Sequence, residues 1–227
     1  MLKKAKLTKR KAQKRLSFAQ SKTKWTQKQW EQVVFSDEKK LRLFKANEGG
    51  NDYVRIAISE RLKPNNVQPK VKFGGGGINF WGCVSKNGVG ILKEIEGKLT
   101  GEKYKEILRE CYKTSLQQMR IEGLLLEDND PKHTSTVASN FKQNYQIARV
   151  ENFPPCSPDL NVIENVWSYW EKKVHIRNPA NLEELKKFAF EEWQSLNNEK
   201  EFFSSLVNSM PTRIEEVIVR NGWYTKY

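Results

Sequence analysis

The stretch "INFWGCVSKNGVGILKEI" constrains the fold most strongly, because an Asn-Gly pair between two apolar runs closes an antiparallel hairpin. It reads as a strand over 78–85, a turn at Lys86-Asn87-Gly88 and a second strand over 89–95. A lone hairpin is marginal in water, so other elements must cover it. "EQVVFSDEKKLRLF" supplies one, since its period-two alternation predicts a strand over 32–44 with Asp37 in the middle. "GLLLEDND" supplies another, a short buried strand ending in acids. The glycines at 74–77 read as a flexible lead-in to the hairpin, because no Lys-Ser or Lys-Thr follows at phosphate-loop spacing.

Helical signals fill the rest of the chain. Residues 101–120 and "STVASNFKQNY" read as helices, "QIARVE" as a brief strand and "NFPPCSPDL" as a rigid connector. Ile163, Val166, Trp167, Trp170 and Val174 follow 3-4-3-4 spacing, which defines a packed helix face. Ser157 or Asp159 is expected to cap that helix, with Pro158 in its first turn. Asn181 with Glu184 resembles a capping box, and Gly222 suits a helix stop. Strands first, then alternation, then helices give an α/β protein with a mixed sheet flanked by helices. Residues 45–72 are polar and loop-like, a length that points to an interaction arm.

The net charge of +13 is concentrated at one end. Residues 1–30 hold 11 Lys or Arg and no acid, while the remainder is nearly balanced. Leu7, Ala12, Leu16 and Ala19 keep helical spacing, so this segment reads as a basic helix rather than a tail. Such a helix is either a solvated surface or a contact for a polyanion, with nucleic acid the first candidate. The candidate phosphate contacts are Lys9, Arg10, Lys11, Lys14, Arg15, Lys22 and Lys24, with Trp25 and Trp30 beside them. Cys83, Cys111 and Cys156 fit neither a disulfide framework nor a cysteine zinc site, which suggests a reducing intracellular compartment. No run of about 18 apolar residues is present to cross a membrane, and no secretion signal opens the chain.

Glu127, Asp128 and Asp130 crowd the end of the "LLL" strand and should repel one another unless a partner intervenes. With Asp37 on a neighbouring strand and Glu164 in the first turn of the Trp-rich helix, three carboxylates could converge on one point. An oxygen-only site of that kind suits Mg²⁺ or Mn²⁺. Two such ions about 4 Å apart would activate a nucleophile and stabilise the leaving oxygen in phosphodiester cleavage. Spacing alone leaves ordinary uses open: a polar strand residue at Asp37, turn formers at Asp128 and Asp130, a dipole-favoured charge at Glu164. Glu171, two turns beyond Glu164, is its rival. His133 could be a general base, a DNA contact or a packing residue.

"VVFSDEKK", "GGGGINFWGCVSKNGVG", "EDNDPKHTS", "SPDLNVIENVW" and "NGWYTKY", in that order, resemble the catalytic region of Tc/mariner-type DNA transposases. The resemblance runs from about residue 5 to the C-terminus. It implies a ribonuclease-H-like catalytic domain over 31–227, preceded by a DNA-contacting linker over 1–30, with Asp37, Asp128 and Glu164 as the metal-binding catalytic triad. Glu127, Asp130 and Glu171 then become supporting residues. It further implies cut-and-paste transposition with two Mg²⁺ or Mn²⁺ ions, double-stranded DNA as partner, TA target sites, a homodimer on DNA and a nuclear location in a eukaryotic host. The family's N-terminal helix-turn-helix modules are expected to be missing, so the chain reads as a fragment. A related integrase or nuclease, or a non-cutting DNA-binding protein, is the alternative. Asp128 and Glu164 have 35 residues between them, one more than is common in the family, and Cys156 and Val162 replace its usual Gln and Pro.

Overall fold

The alternating residues VVFSDEKKLR form β1 (Val33–Arg42), and the rest of the sheet is arranged around it. β2 (Gly77–Ser85) runs antiparallel along one edge, setting Gly82 opposite Asp37. β5 (Leu124–Leu126) runs parallel along the other edge, setting Leu126 opposite Phe35. The computed structural model describes residues 7–44 and 75–227, so the suggested arm at 45–72 lies outside the described residues.

The hairpin turn falls where Asn-Gly places it, but the strand expected over 89–95 is split into β3 (Gly88–Val89) and β4 (Lys93–Ile95). Both pair with β2. Between them the backbone is claimed by side chains from the helical layers: the Ile91 N–H donates to Ser115 Oγ, and the Trp193 indole donates to the Gly90 carbonyl. A Cβ at Gly90 would lie 2.6 Å from Cys83 Sγ and from Ser115, so only glycine allows this approach. "QIARVE" is likewise reduced to a single parallel bridge between Leu125 and Arg149.

Period-two alternation distributes β1 and β5 between two cores. Val33, Phe35 and Leu126 face one, Val34 and Leu125 the other. The second face is covered by α3 (Gly101–Ile107), a π-helical turn at Leu108–Tyr112, α4 (Lys113–Met119) and α5 (Thr136–Asn144). One continuous helix over 101–120 is therefore interrupted.

On the first face lie α1 (Lys9–Lys22), α2 (Gln27–Glu31), α6 (Ile163–Ile176), α7 (Leu182–Ser195), α8 (Lys200–Asn208) and α9 (Met210–Val219). Their largest contribution is an aromatic cluster of Trp167, Trp170 and Trp193 against Phe80. Trp30 belongs to this core and is fully buried, so it makes no DNA contact.

The helix caps differ from the sequence reading in one instructive place. α6 begins at Ile163 behind Val162, and neither Ser157 nor Asp159 caps it. Asp159 is instead taken by α1, where both Arg15 guanidinium nitrogens grip its carboxylate at 2.7 and 2.6 Å. At α7, Asn181 accepts the Glu184 N–H as expected, while Glu184 reaches back to the Ala180 N–H, one residue short of the reciprocal box. No helix among the described residues is long and apolar enough to cross a membrane.

Candidate active site

Strand register brings the first two acids together. Extending the Phe35–Leu126 pair by two residues sets Asp128 beside Asp37 on the same face of the sheet. Glu127, between them, is turned to the opposite face, where Tyr104 Oη and Lys142 Nζ both donate to its carboxylate. Asp130 pairs with Lys132 at 2.8 Å and its backbone N–H donates to Asp128 Oδ1. The crowded acids at the strand end thus have three different environments, and only some of their repulsion is left for the cavity.

α6 brings the third acid. Trp167, nearly one turn after Glu164, donates its indole N–H to Asp37 Oδ2 at 3.2 Å. This approach depends on Gly82 across the ladder, where a Cβ would stand 2.7 Å from the Trp167 ring. Asp37, Asp128 and Glu164 then line one open cavity of about 420 Å³, together with Asp130, Asn161 and the proline-rich connector from Phe153 to Pro158. Glu171 does not join them; it pairs with Lys39 at 2.9 Å.

The cavity opposes ionisation of two of its three acids. Burial, then Glu164, Glu38 and Asp128, raise Asp37 to about 8, and burial also raises Glu164. Asp128 behaves differently: burial opposes its charge, but His133, the Asp130 N–H and Lys132 outweigh it and lower its pKa. His133 is buried, with Nδ1 2.7 Å from Asp128 Oδ1 and Nε2 2.9 Å from Glu38 Oε1. Burial disfavours its charge, yet those two carboxylates raise it to about 10.

This donor set fits a divalent cation. A buried carboxylate that resists ionising because acids surround it is what a bound cation relieves. Asp128 Oδ1 is already engaged, which leaves Oδ2 as the atom open to a cation. No three His, Cys, Asp or Glu side chains among the described residues are already gathered as a complete ligand set. Two groups that shape this arrangement escaped the sequence reading in this role. Glu38 signals itself only by adjacency to Asp37, and Trp167 by lying three residues after Glu164.

Residues 32–186 match the pattern of the DDE superfamily endonuclease family. This chain belongs to that family. Among curated relatives it is similar over its whole length to the transposable element Tc1 transposase of Caenorhabditis elegans, at 30% identity over 227 residues and 81% of that protein. The transposable element Tcb1 transposase of Caenorhabditis briggsae is 32% identical over 216 residues, 94% of this chain and 77% of the relative. Among solved structures, the Mos1 transposase catalytic domain with raltegravir and Mg superposes at a TM-score of 0.71 and 16% identity, covering 98% of this chain and all of that one. The Mos1 paired-end complex with the left transposon end gives 0.74 at 17% identity, over 97% of this chain and 65% of that one. The fold is ribonuclease-H-like, and the chain is the catalytic domain of a Tc/mariner-type DDE transposase.

Within the transposase domain, two of the suggested DNA contacts are placed elsewhere. Arg15 is fully buried on Asp159 and on the Cys156 and Gly222 carbonyls, so it holds α1 to the domain instead of meeting phosphate. His133 is sealed behind Asp128 and against the Tyr104 ring, at 4.2 Å between centroids, so it steadies a carboxylate rather than touching DNA. Lys9, Arg10, Lys14 and Lys24 are exposed; Lys11 and Lys22 are half-buried, Lys22 lying over the Trp25 ring at 4.0 Å.

Proposed function

We propose that Asp37, Asp128 and Glu164 are the catalytic carboxylates, that they hold two Mg²⁺ or Mn²⁺ ions, and that the domain cuts DNA at transposon ends and joins the freed strand to target DNA. The observation that carries this reading is the convergence of those three acids, from β1, the end of β5 and α6, on one cavity. Solved Mos1 relatives in complexes with transposon ends, with Mg and Mn, and in a strand transfer complex support it.

When bound, the ions supply charge neutralisation and Lewis-acid stabilisation of the attacking and leaving oxygens. The chain's own residues do the positioning. Trp167 fixes the rotamer of Asp37 through Oδ2, and His133 fixes that of Asp128 through Oδ1. Lys9, Arg10, Lys11, Lys14, Lys22 and Lys24 offer positive charge for DNA phosphates, which positions the duplex without reading its sequence. The resemblance extends the proposal to TA target sites, a homodimer bridging two ends and action in the nucleus of a eukaryotic host.

Labelled duplex carrying the element's end, incubated with Mn²⁺, should be nicked and then joined to a second duplex. Asp37→Asn, Asp128→Asn and Glu164→Gln should each abolish both steps with the fold intact, while Asp130→Asn should retain most activity. Loss at Asp130 with retention at Asp128 would overturn the assignment.

A further inference from the structure

The acidic cavity shares its proline rim with a second space. Asn129, Phe153, Pro154 and Pro155 line it on one side, and the same residues line a second groove of about 550 Å³ whose far wall is α1. The two spaces have opposite character. Asp37, Asp128, Asp130 and Glu164 line the first, whereas no carboxylate lines the second and α1 gives it Arg10 and Lys14. Both side chains are exposed, and among the described residues neither makes an ion pair. They stand four residues apart, about 6 Å along the helix axis. Ser17 and Ser21 continue the same polar edge.

The shared rim is fastened to α1 rather than free to swing. Phe18 and Phe153 meet edge to face at 5.5 Å, forming an apolar floor. Lys11 Nζ donates to Cys156 Sγ at 3.1 Å, and Arg15 Nη1 donates to the Cys156 carbonyl at 3.3 Å. Asn152 and Cys156 sit at φ of 59° and 55°, so the rim turns sharply at both of its ends. A basic helix face usually meets only solvent. Here it forms one wall of a groove that shares its rim with the acidic cavity, and aromatic packing and hydrogen bonds from α1 hold that rim in place.

We propose that this second groove is the track for the DNA strand on one side of the scissile phosphate. Arg10 and Lys14 would each take one backbone phosphate, and the Phe18–Phe153 floor would carry the sugar faces between them. The proposal rests on reading the acidic cavity as the site of cleavage. It assigns to α1 a role in holding the reacting strand and not merely in attracting duplex from a distance.

The test is Arg10→Glu with Lys14→Glu, set against a charge-matched control, Lys113→Glu with Lys200→Glu, whose positions are exposed and line neither groove. Mn²⁺-dependent nicking is measured on duplexes extended by a few nucleotides on one or the other side of the cleavage position, and duplex binding by fluorescence anisotropy runs alongside at several salt concentrations. Wild type should gain affinity from extension on one side only. The groove variant should lose that gain, with KM raised about tenfold, kcat little changed, and a salt slope shallower by about two, one per lost phosphate contact. The control should keep the one-sided gain. Equal losses in the two variants, or indifference of wild type to extension on either side, would sink the groove assignment while nicking left the cleavage reading intact. If wild type nicks nothing with Mn²⁺, the cleavage reading fails instead, and the anisotropy series still decides whether the groove binds DNA.

Discussion

Asp128 leaves β5 with Oδ1 already committed to the Asp130 N–H and to His133. His133 in turn is fixed by Glu38 through its other ring nitrogen and by the Tyr104 ring beneath it. Groups that orient a metal ligand in this way are worth about 10–100-fold in metal affinity or activity. His133→Ala should therefore raise the Mn²⁺ concentration needed for half-maximal nicking and lower the rate by about that factor, with an unchanged far-ultraviolet circular dichroism spectrum. Behind this pair, Lys142 is buried between the Glu127 carboxylate and the His133 carbonyl, which it meets at 2.9 Å. Lys142→Met strands a buried carboxylate and should cost about 3–5 kcal/mol in chemical denaturation. Glu127→Gln added to Lys142→Met should recover part of that loss, because the stranded charge is gone.

At the scale of elements, a buried ion pair adds to the apolar packing that binds α1 to the domain. Arg15 grips Asp159 with two nitrogens and donates its Nε–H to the Gly222 carbonyl at 2.8 Å, while Thr225 Oγ1 donates to the same carboxylate at 2.9 Å. Burial opposes the charge on Asp159, but Arg15 and Thr225 outweigh it and hold its pKa below the ordinary carboxylate value. A carboxylate depressed in the folded state contributes its full stability above its unfolded pKa of about 3.9, and loses it as pH falls through the lower folded value. Thermal midpoints measured from about pH 6 to pH 2 should fall more steeply for wild type than for Asp159→Asn. Arg15→Met leaves Asp159 buried and unpaired, and should cost about 3–5 kcal/mol at neutral pH. Gly222 stands where the last turn of α9 meets α1, at a φ of 83°, and a Cβ there would strike the Ala12 carbonyl. Gly222→Ala should loosen the same joint, seen as faster amide exchange along α1.

For the whole molecule, the sheet concentrates negative charge at one cavity while most of the positive excess lies outside it. Burial first, and then neighbouring acids, oppose ionisation of Asp37 in the metal-free domain, and a cation that binds only the folded state should stabilise it. Mn²⁺ at about 100 times its dissociation constant adds about 2.7 kcal/mol. The thermal midpoint should rise with Mn²⁺ for wild type and stay nearly flat for Asp37→Asn, whose own midpoint without metal should match or exceed that of wild type. A flat wild-type response would contradict the metal assignment whatever the activity assays show.

Local chemistry determined much of this protein. Asn87-Gly88 fixed the hairpin, period two fixed β1, and 3-4-3-4 spacing fixed the buried face of α6, because each depends on neighbours within a few residues. The ordered motifs likewise pointed to the family, and register then put Asp37 and Asp128 on one face as their strand assignments required. What sequence could not decide was which charges become buried. Arg15 and its basic neighbours look alike along the chain, yet Arg15 alone among them meets Asp159, 144 residues away. Glu127 and Asp128 are adjacent, yet the pleat sends one to Lys142 and the other to the cavity. Gly90 breaks a strand only because Ser115 and Trp193 arrive from two helices to take its surroundings. Burial and pairing are properties of what the fold brings near, and long-range contacts carry no mark at either end of the sequence.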